Sequence, residues 1–173
     1  MAHPASTADL RTTTLFTSSH HTVLITGGAT GLGEIAAQAF IQNGSHVLIA
    51  SRKESELQTT TTRLNALGPG TCVYIVADLS SKAGCEALCA EVARRVDKLT
   101  VLVNNAGATW GGDYYDFPEN GWDKLMALNV KSVFYMTVGL ESLLIKGASG
   151  NEEPSRVVNV ASMAGVQTRD VTS

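Results

Sequence analysis

An α/β fold, a doubly wound parallel sheet with helices on both faces, is what this sequence predicts, and three observations predict it. Short apolar runs alternate with stretches of helical periodicity along most of the chain. The runs are unbroken, as in strands buried on both faces. Each helical stretch is long enough to cross the sheet and return beside a parallel neighbour.

The first strand is "HTVLIT", His21 to Thr26, short and β-branched. Leu32, Ile35, Ala36, Ala39 and Phe40 then repeat at helical spacing, and Asn43-Gly44 stops that helix. "HVLIA", His46 to Ala50, is the second strand. A polar helix from about Ser55 to Leu67 ends at Gly68-Pro69-Gly70. "TCVYIVA", Thr71 to Ala77, is the third strand, and Ser80 or Ser81 caps a helix with the stripe Cys85, Leu88, Cys89, Val92 and Val96. "TVLVN", Thr100 to Asn104, is the fourth. A long helix follows from about Asn120 to Ile145, its stripe Trp122, Leu125, Met126, Asn129, Val133, Met136 and Leu140. "KGASGNEEPS" is a loop by composition, and "RVVNV", from Arg156, is the fifth strand.

The 173 residues make one domain of ordinary size, and a hydrophobic content of 44% with 17% charged residues permits a buried core. The net charge of −3 argues against a nucleic-acid partner. No apolar run is long enough for a membrane span. Cys72, Cys85 and Cys89 form no C-x-x-C pair and read as reduced core thiols of a cytoplasmic protein. His20 and His21 are adjacent and would point apart in a strand, so no metal site is expected. Residues 1–20, rich in Ser and Thr, read as a mobile leader without a signal-peptide core.

Ligands of such sheets bind at the carboxyl ends of the strands, where strand order reverses. Strand one ends in "TGGATGLG", Thr26 to Gly33, between a first strand and a first helix. Glycines there let a phosphate approach the backbone, and the helix start offers free N–H groups. Absence of a following Lys excludes a triphosphate P-loop. Strand two ends in Ser51, Arg52 and Lys53, where a site for an unphosphorylated ribose often has an acid. Arg pairs with a 2′-phosphate, so NADP(H) is favoured over NAD(H). Strand three ends in Asp78-Leu79, and Asp78 has two uses open to it, accepting from an adenine amino group or capping the next helix. Strand four ends in "NNAG", Asn104 to Gly107, which suits close approach to a ligand or a plain turn. Asn129 is a polar amide on an apolar stripe and needs a partner. Ser162 follows strand five; Val160 and Ala164 replace the glycines of a hydrolase nucleophile elbow, so it reads as a hydrogen-bonding serine.

Together these residues resemble the short-chain dehydrogenases/reductases, a Rossmann-type family. "TGGATGLG" is similar to the family's TGxxxGxG turn; "NNAG", the Asn of "LNVKSVF" and the Ser of "VVNVASMAG" follow in its order. The resemblance spans about Leu15 to Gly165 and is nearest to the rhamnolipid-type 3-oxoacyl-carrier-protein reductases. It implies that Gly27, Thr30, Gly31, Leu32 and Gly33 meet the dinucleotide phosphates, and Ser51 and Arg52 the 2′-phosphate. It implies that Asp78 and Leu79 flank the adenine and that Asn105, Ala106 and Gly107 line the cofactor's middle. Asn129 would sit at a distortion of the long helix and hold a water, and Ser162 would hydrogen-bond the oxygen of a small carbonyl or alcohol substrate.

One departure stands out. Family catalysis uses a Tyr with a Lys four residues on, and none of Tyr74, Tyr114, Tyr115 or Tyr135 has one. The resemblance therefore implies a dinucleotide-binding domain over 21–173 lacking the family's usual C-terminal third, with the sheet incomplete on that side. The fifth strand is expected to be an exposed apolar edge. Full-length relatives are usually homo-oligomers. Two functions follow: an NADP(H)-dependent oxidoreductase of which this chain lacks the proton donor, or a nucleotide-binding protein without turnover, on its own or as partner of a full-length relative.

Overall fold

The computed structural model describes residues 17–148 and 153–165. Its strands are β1 (Thr22–Thr26), β2 (His46–Ser51), β3 (Thr71–Val76), β4 (Val101–Asn104) and β5 (Arg156–Asn159). All pair in parallel, in the order β3-β2-β1-β4-β5. The chain moves outward from β1 to β3, then returns to lay β4 against the other side of β1, so strand order reverses between β1 and β4.

Alternate residues of the strands feed two cores. Val23, Ile25, Val47, Ile49, Val101 and Val103 pack against α1 (Gly31–Gln42) and α2 (Glu54–Asn65) through Ala37, Ile41, Leu57 and Leu64. Leu24, Leu48 and Leu102 face the other way, onto Cys85, Leu88, Cys89 and Val92 of α3 (Lys82–Arg95). This two-sided burial is the reason the strands lack polar alternation. Ser81 caps α3, its Oγ accepting from the Gly84 N–H at 3.1 Å. Gly44, at φ +88°, ends α1 in a left-handed conformation that L side chains avoid.

The long helix departs from its sequence reading. It comprises α4 (Glu119–Met126), a π-helical turn (Ala127–Lys131), α5 (Ser132–Gly139) and, after a break at Leu140 that bends the axis by 57°, α6 (Glu141–Gly147). A π turn inserts a residue and rotates the faces, so no 3.6-residue stripe continues through it. Trp122 and Asn129 are accordingly exposed, while Ser132, Met136, Leu140, Leu143 and Leu144 form the buried face. Gly139 lies against α3, where a Cβ would come within 2.6 Å of Cys89 Sγ.

β5 is the edge strand and is exposed along its length, with Val157 at 40% and Val158 at 46%. Both of its faces carry valine toward solvent, the exposed apolar edge expected from the sequence. The cysteines are free and buried, as read from their spacing, and burial pushes the Cys72 and Cys89 thiols up to about 11. The leader expected over residues 1–20 lies mostly outside the described residues; within it Ser18 is buried and accepts from Ser45 Oγ at 2.8 Å. Among the described residues no single helix is long and apolar enough to cross a membrane, and no group of His, Cys, Asp or Glu gathers as metal ligands.

Candidate functional site

A cavity of about 340 Å³ opens at the carboxyl ends of β1, β2 and β4, beside the point where strand order reverses. Of the residues expected in a site, Gly27, Thr30, Ser51, Arg52, Leu79, Asn105, Ala106 and Gly107 line it. Ala50, Lys53, Glu56, Ala77 and Leu128 complete the wall. Glu56 and Leu128 carried no sequence signal, because a helix-surface acid and one more apolar helix residue look like any other.

The glycine turn is built for close approach. Gly27 and Gly31 have φ of +64° and +58°. A Cβ on Gly27 would come within 2.9 Å of Asn105 Nδ2; one on Gly33 would collide with the Gly27 carbonyl oxygen. At Gly31 nothing lies within 4 Å of where a Cβ would stand, so this backbone is open to a ligand. Thr30 caps α1 with extended backbone and no side-chain bond, which leaves the first-turn N–H groups at the positive end of a twelve-residue helix. Glu34, also in that first turn, is drawn away by Arg63 of α2, whose Nη2 donates to it at 2.6 Å. Gly31, Leu32 and Gly33 form this helix start without lining the cavity itself.

Thr26 and Asn105 lock the turn to β4. The buried Thr26 hydroxyl accepts from the N–H groups of Asn105 and Ala106, each at 3.0 Å, and donates to the Val103 carbonyl at 3.4 Å. Asn105 Nδ2 donates back to the carbonyls of Thr26 and Gly27, both at 3.0 Å. The structure thus gives Asn105 a bracing task beside its place in the cavity wall. Neighbouring Asn104 is buried and donates to Asn159 Oδ1 at 2.9 Å, tying β4 to β5.

At the end of β2, Ser51 is half-buried and Arg52 exposed; among the described residues Arg52 makes no ion pair. Lys53 Nζ donates to Glu56 Oε1 at 2.8 Å. Asp78 does not line the cavity. Its carboxylate accepts from the Ser80 N–H at 3.0 Å, and that bond, with a smaller effect from the Arg52 charge, holds its carboxyl below the usual range. This is an Asx turn ahead of α3 and not the cap of that helix, which is Ser81. Leu79 is buried and forms part of the wall.

Asn129 lies in the π turn, at a distortion of the helix as the resemblance implies, but exposed rather than on an apolar stripe. Its amide is spent on one residue: Oδ1 accepts from the Ala108 N–H and Nδ2 donates to the Ala108 carbonyl, both at 2.9 Å. Ser162 stands past β5, exposed and outside the cavity wall; its Oγ accepts from the Ala164 N–H at 3.2 Å. The cavity therefore brings together the apolar side chains of Leu79 and Leu128 and a guanidinium that makes no ion pair among the described residues, beside a helix start whose backbone is open to a phosphate, the features a dinucleotide requires.

The family model described as short chain dehydrogenase matches residues 21–173. The chain is 41% identical over 151 residues to the rhamnolipids biosynthesis 3-oxoacyl-[acyl-carrier-protein] reductase of Pseudomonas aeruginosa, covering 87% of this chain and 58% of that protein. It is 29% identical over 157 residues to the NAD-dependent glycerol dehydrogenase of Listeria innocua, covering 90% of this chain and 58% of that one. Among solved structures, the Pseudomonas aeruginosa RhlG/NADP active-site complex matches with a TM-score of 0.84 at 40% identity, over 89% of this chain and 59% of that one. The chain thus spans somewhat over half the length of the relatives it matches.

Proposed function

The chain belongs to the short chain dehydrogenase family, and on that premise we propose that it forms the NADP(H)-binding part of an oxidoreductase acting between a small carbonyl and its alcohol. The observation that carries the choice of cofactor is Arg52, beside Ser51 on the cavity wall and without an ion pair among the described residues, where it can meet a 2′-phosphate. Gly27, Thr30 and the helix start at Gly31, Leu32 and Gly33 would hold the pyrophosphate through backbone N–H groups. Leu79 would pack on the adenine, with Asp78 at its edge. Asn105, Ala106 and Gly107 would line the middle of the cofactor.

When bound, the dinucleotide would supply or accept hydride. The chain's own residues would hold and orient it, with Leu79 and Leu128 offering apolar surface. Ser162, past β5, would hydrogen-bond the substrate oxygen. Asn129 would act through the loop it holds at Ala108. A titrating donor at oxygen is the part these 173 residues do not contain as Tyr-x-x-x-Lys; a positioned acid contributes about 10²- to 10⁴-fold. That observation favours a second reading for this polypeptide, nucleotide binding without turnover. A cytoplasmic compartment completes the proposal, with homo-oligomers the usual state of full-length relatives.

The test is fluorescence titration with NADPH and NADH, followed by carbonyl-dependent oxidation. NADPH is expected to bind, and Arg52→Ala to weaken it about ten- to a hundredfold while barely changing NADH. Equal affinities insensitive to Arg52 would overturn the cofactor assignment. Rapid turnover would overturn the second reading.

A further inference from the structure

The cavity wall that carries Arg52 also carries a carboxylate. Ser51, Arg52, Lys53 and Glu56 form one side of it, and Glu56 is the acid among its lining residues. Lys53 and Glu56 stand three residues apart across the start of α2, with Lys53 Nζ on Glu56 Oε1 at 2.8 Å. Lys53 is 71% and Glu56 38% exposed at the side chain, so the pair contributes little to folding and exchanges partners cheaply. The wall holds two cations, and the pair occupies one of them.

We propose that Glu56 is a specificity-determining residue that limits how strongly this cavity holds a phosphorylated dinucleotide. The inference rests on reading the cavity as a dinucleotide site. A 2′-phosphate monoester carries about −1.5 to −2 charges at neutral pH. Glu56 opposes it twice: its own carboxylate repels the phosphate, and its grip on Lys53 keeps an ammonium from turning to it. An unphosphorylated ribose meets neither penalty, because its hydroxyls carry no charge and can donate to a carboxylate. Arg52 therefore raises, and Glu56 lowers, the ratio of affinities for the two cofactors. That ratio is set on the wall by the balance of two cations against one acid rather than by Arg52 alone.

The experiment measures dissociation constants of NADPH and NADH for the whole chain, as wild type, Glu56→Gln, Glu56→Lys and Arg52→Ala, at ionic strengths of about 0.01 M and about 1 M. Glu56→Gln is expected to tighten NADPH about three- to tenfold at low salt, change NADH less than twofold, and lose most of the gain at high salt. Glu56→Lys is expected to move NADPH further in the same direction. Thermal melts serve as the folding control, since Glu56 is half-buried. An unchanged or weakened NADPH affinity in Glu56→Gln, with wild-type binding still dependent on Arg52, sinks this inference and leaves the dinucleotide reading standing. Loss of NADPH binding in the wild type, or indifference to Arg52, sinks both.

Discussion

Thr26 shows how much one hydroxyl can do. It is 1% exposed and serves three backbone groups, two of them on the stretch 79 and 80 residues further along. Thr26→Val keeps the shape and strands the N–H groups of Asn105 and Ala106. The expected loss is roughly 2–5 kcal/mol, read as a lower urea midpoint, with NADPH binding weakened in parallel. The residue is plain in "TGGATGLG", yet its task was not legible there, because which distant amides face it depends on the register of β1 on β4. Gly27 and Arg52 were legible for the opposite reason: a strand end followed by a turn dictates what stands at the mouth of the sheet. Glu56 was not, since its meaning comes only from lying on the same wall as Arg52.

Among the elements, β1 to β4 and the helices α2 and α3 follow the hydrophobic pattern closely, because unbroken apolar runs leave few alternatives for their burial. The helix α1 keeps its expected place but not its expected face: Leu32, Ile35 and Ala39 of the stripe are exposed, Ala36 and Phe40 are half-buried, and Ala37 and Ile41 are the side chains it buries. The long helix departs further. Its pattern reads as one rod from 120 to 145, whereas the π turn at Ala127–Lys131 and the 57° bend after Gly139 divide it. Apolar residues on both sides of the turn concealed the change of face. Asn129 draws a benefit from it, since the turn presents its amide to both polar groups of Ala108. Asn129→Ala is expected to cost about 1–3 kcal/mol and to raise the NADPH dissociation constant by loosening the chain beyond Gly107. Asn129→Asp, which still accepts from the Ala108 N–H but cannot donate, is expected to lose less. Thermal melts of the pair, with NADPH titrations, check this; equal melts for alanine and wild type would remove the bracing role.

At the scale of the whole molecule, the exposed apolar surface is the dominant feature. Val157, Val158 and Val160 at the edge of the sheet are exposed, and so are Val130, Phe134 and Val138 along the divided helix. A purified 173-residue polypeptide is expected to self-associate, because an unpaired edge with apolar faces templates further strands. Val157→Lys with Val158→Lys is expected to restore a monomer in sedimentation velocity; a wild type that sediments as a monomer at all concentrations would contradict this. The order of the sheet carries one more consequence, in time rather than in space. β1, β2 and β3 emerge first from the ribosome and can pair with one another while the rest is unmade. The floor of the cavity cannot form with them, because Thr26 must wait for Asn105 and Ala106. A nascent chain therefore acquires its ligand-binding capacity abruptly, when β4 docks, and a dinucleotide in the surrounding fluid would act as a latch on that late step.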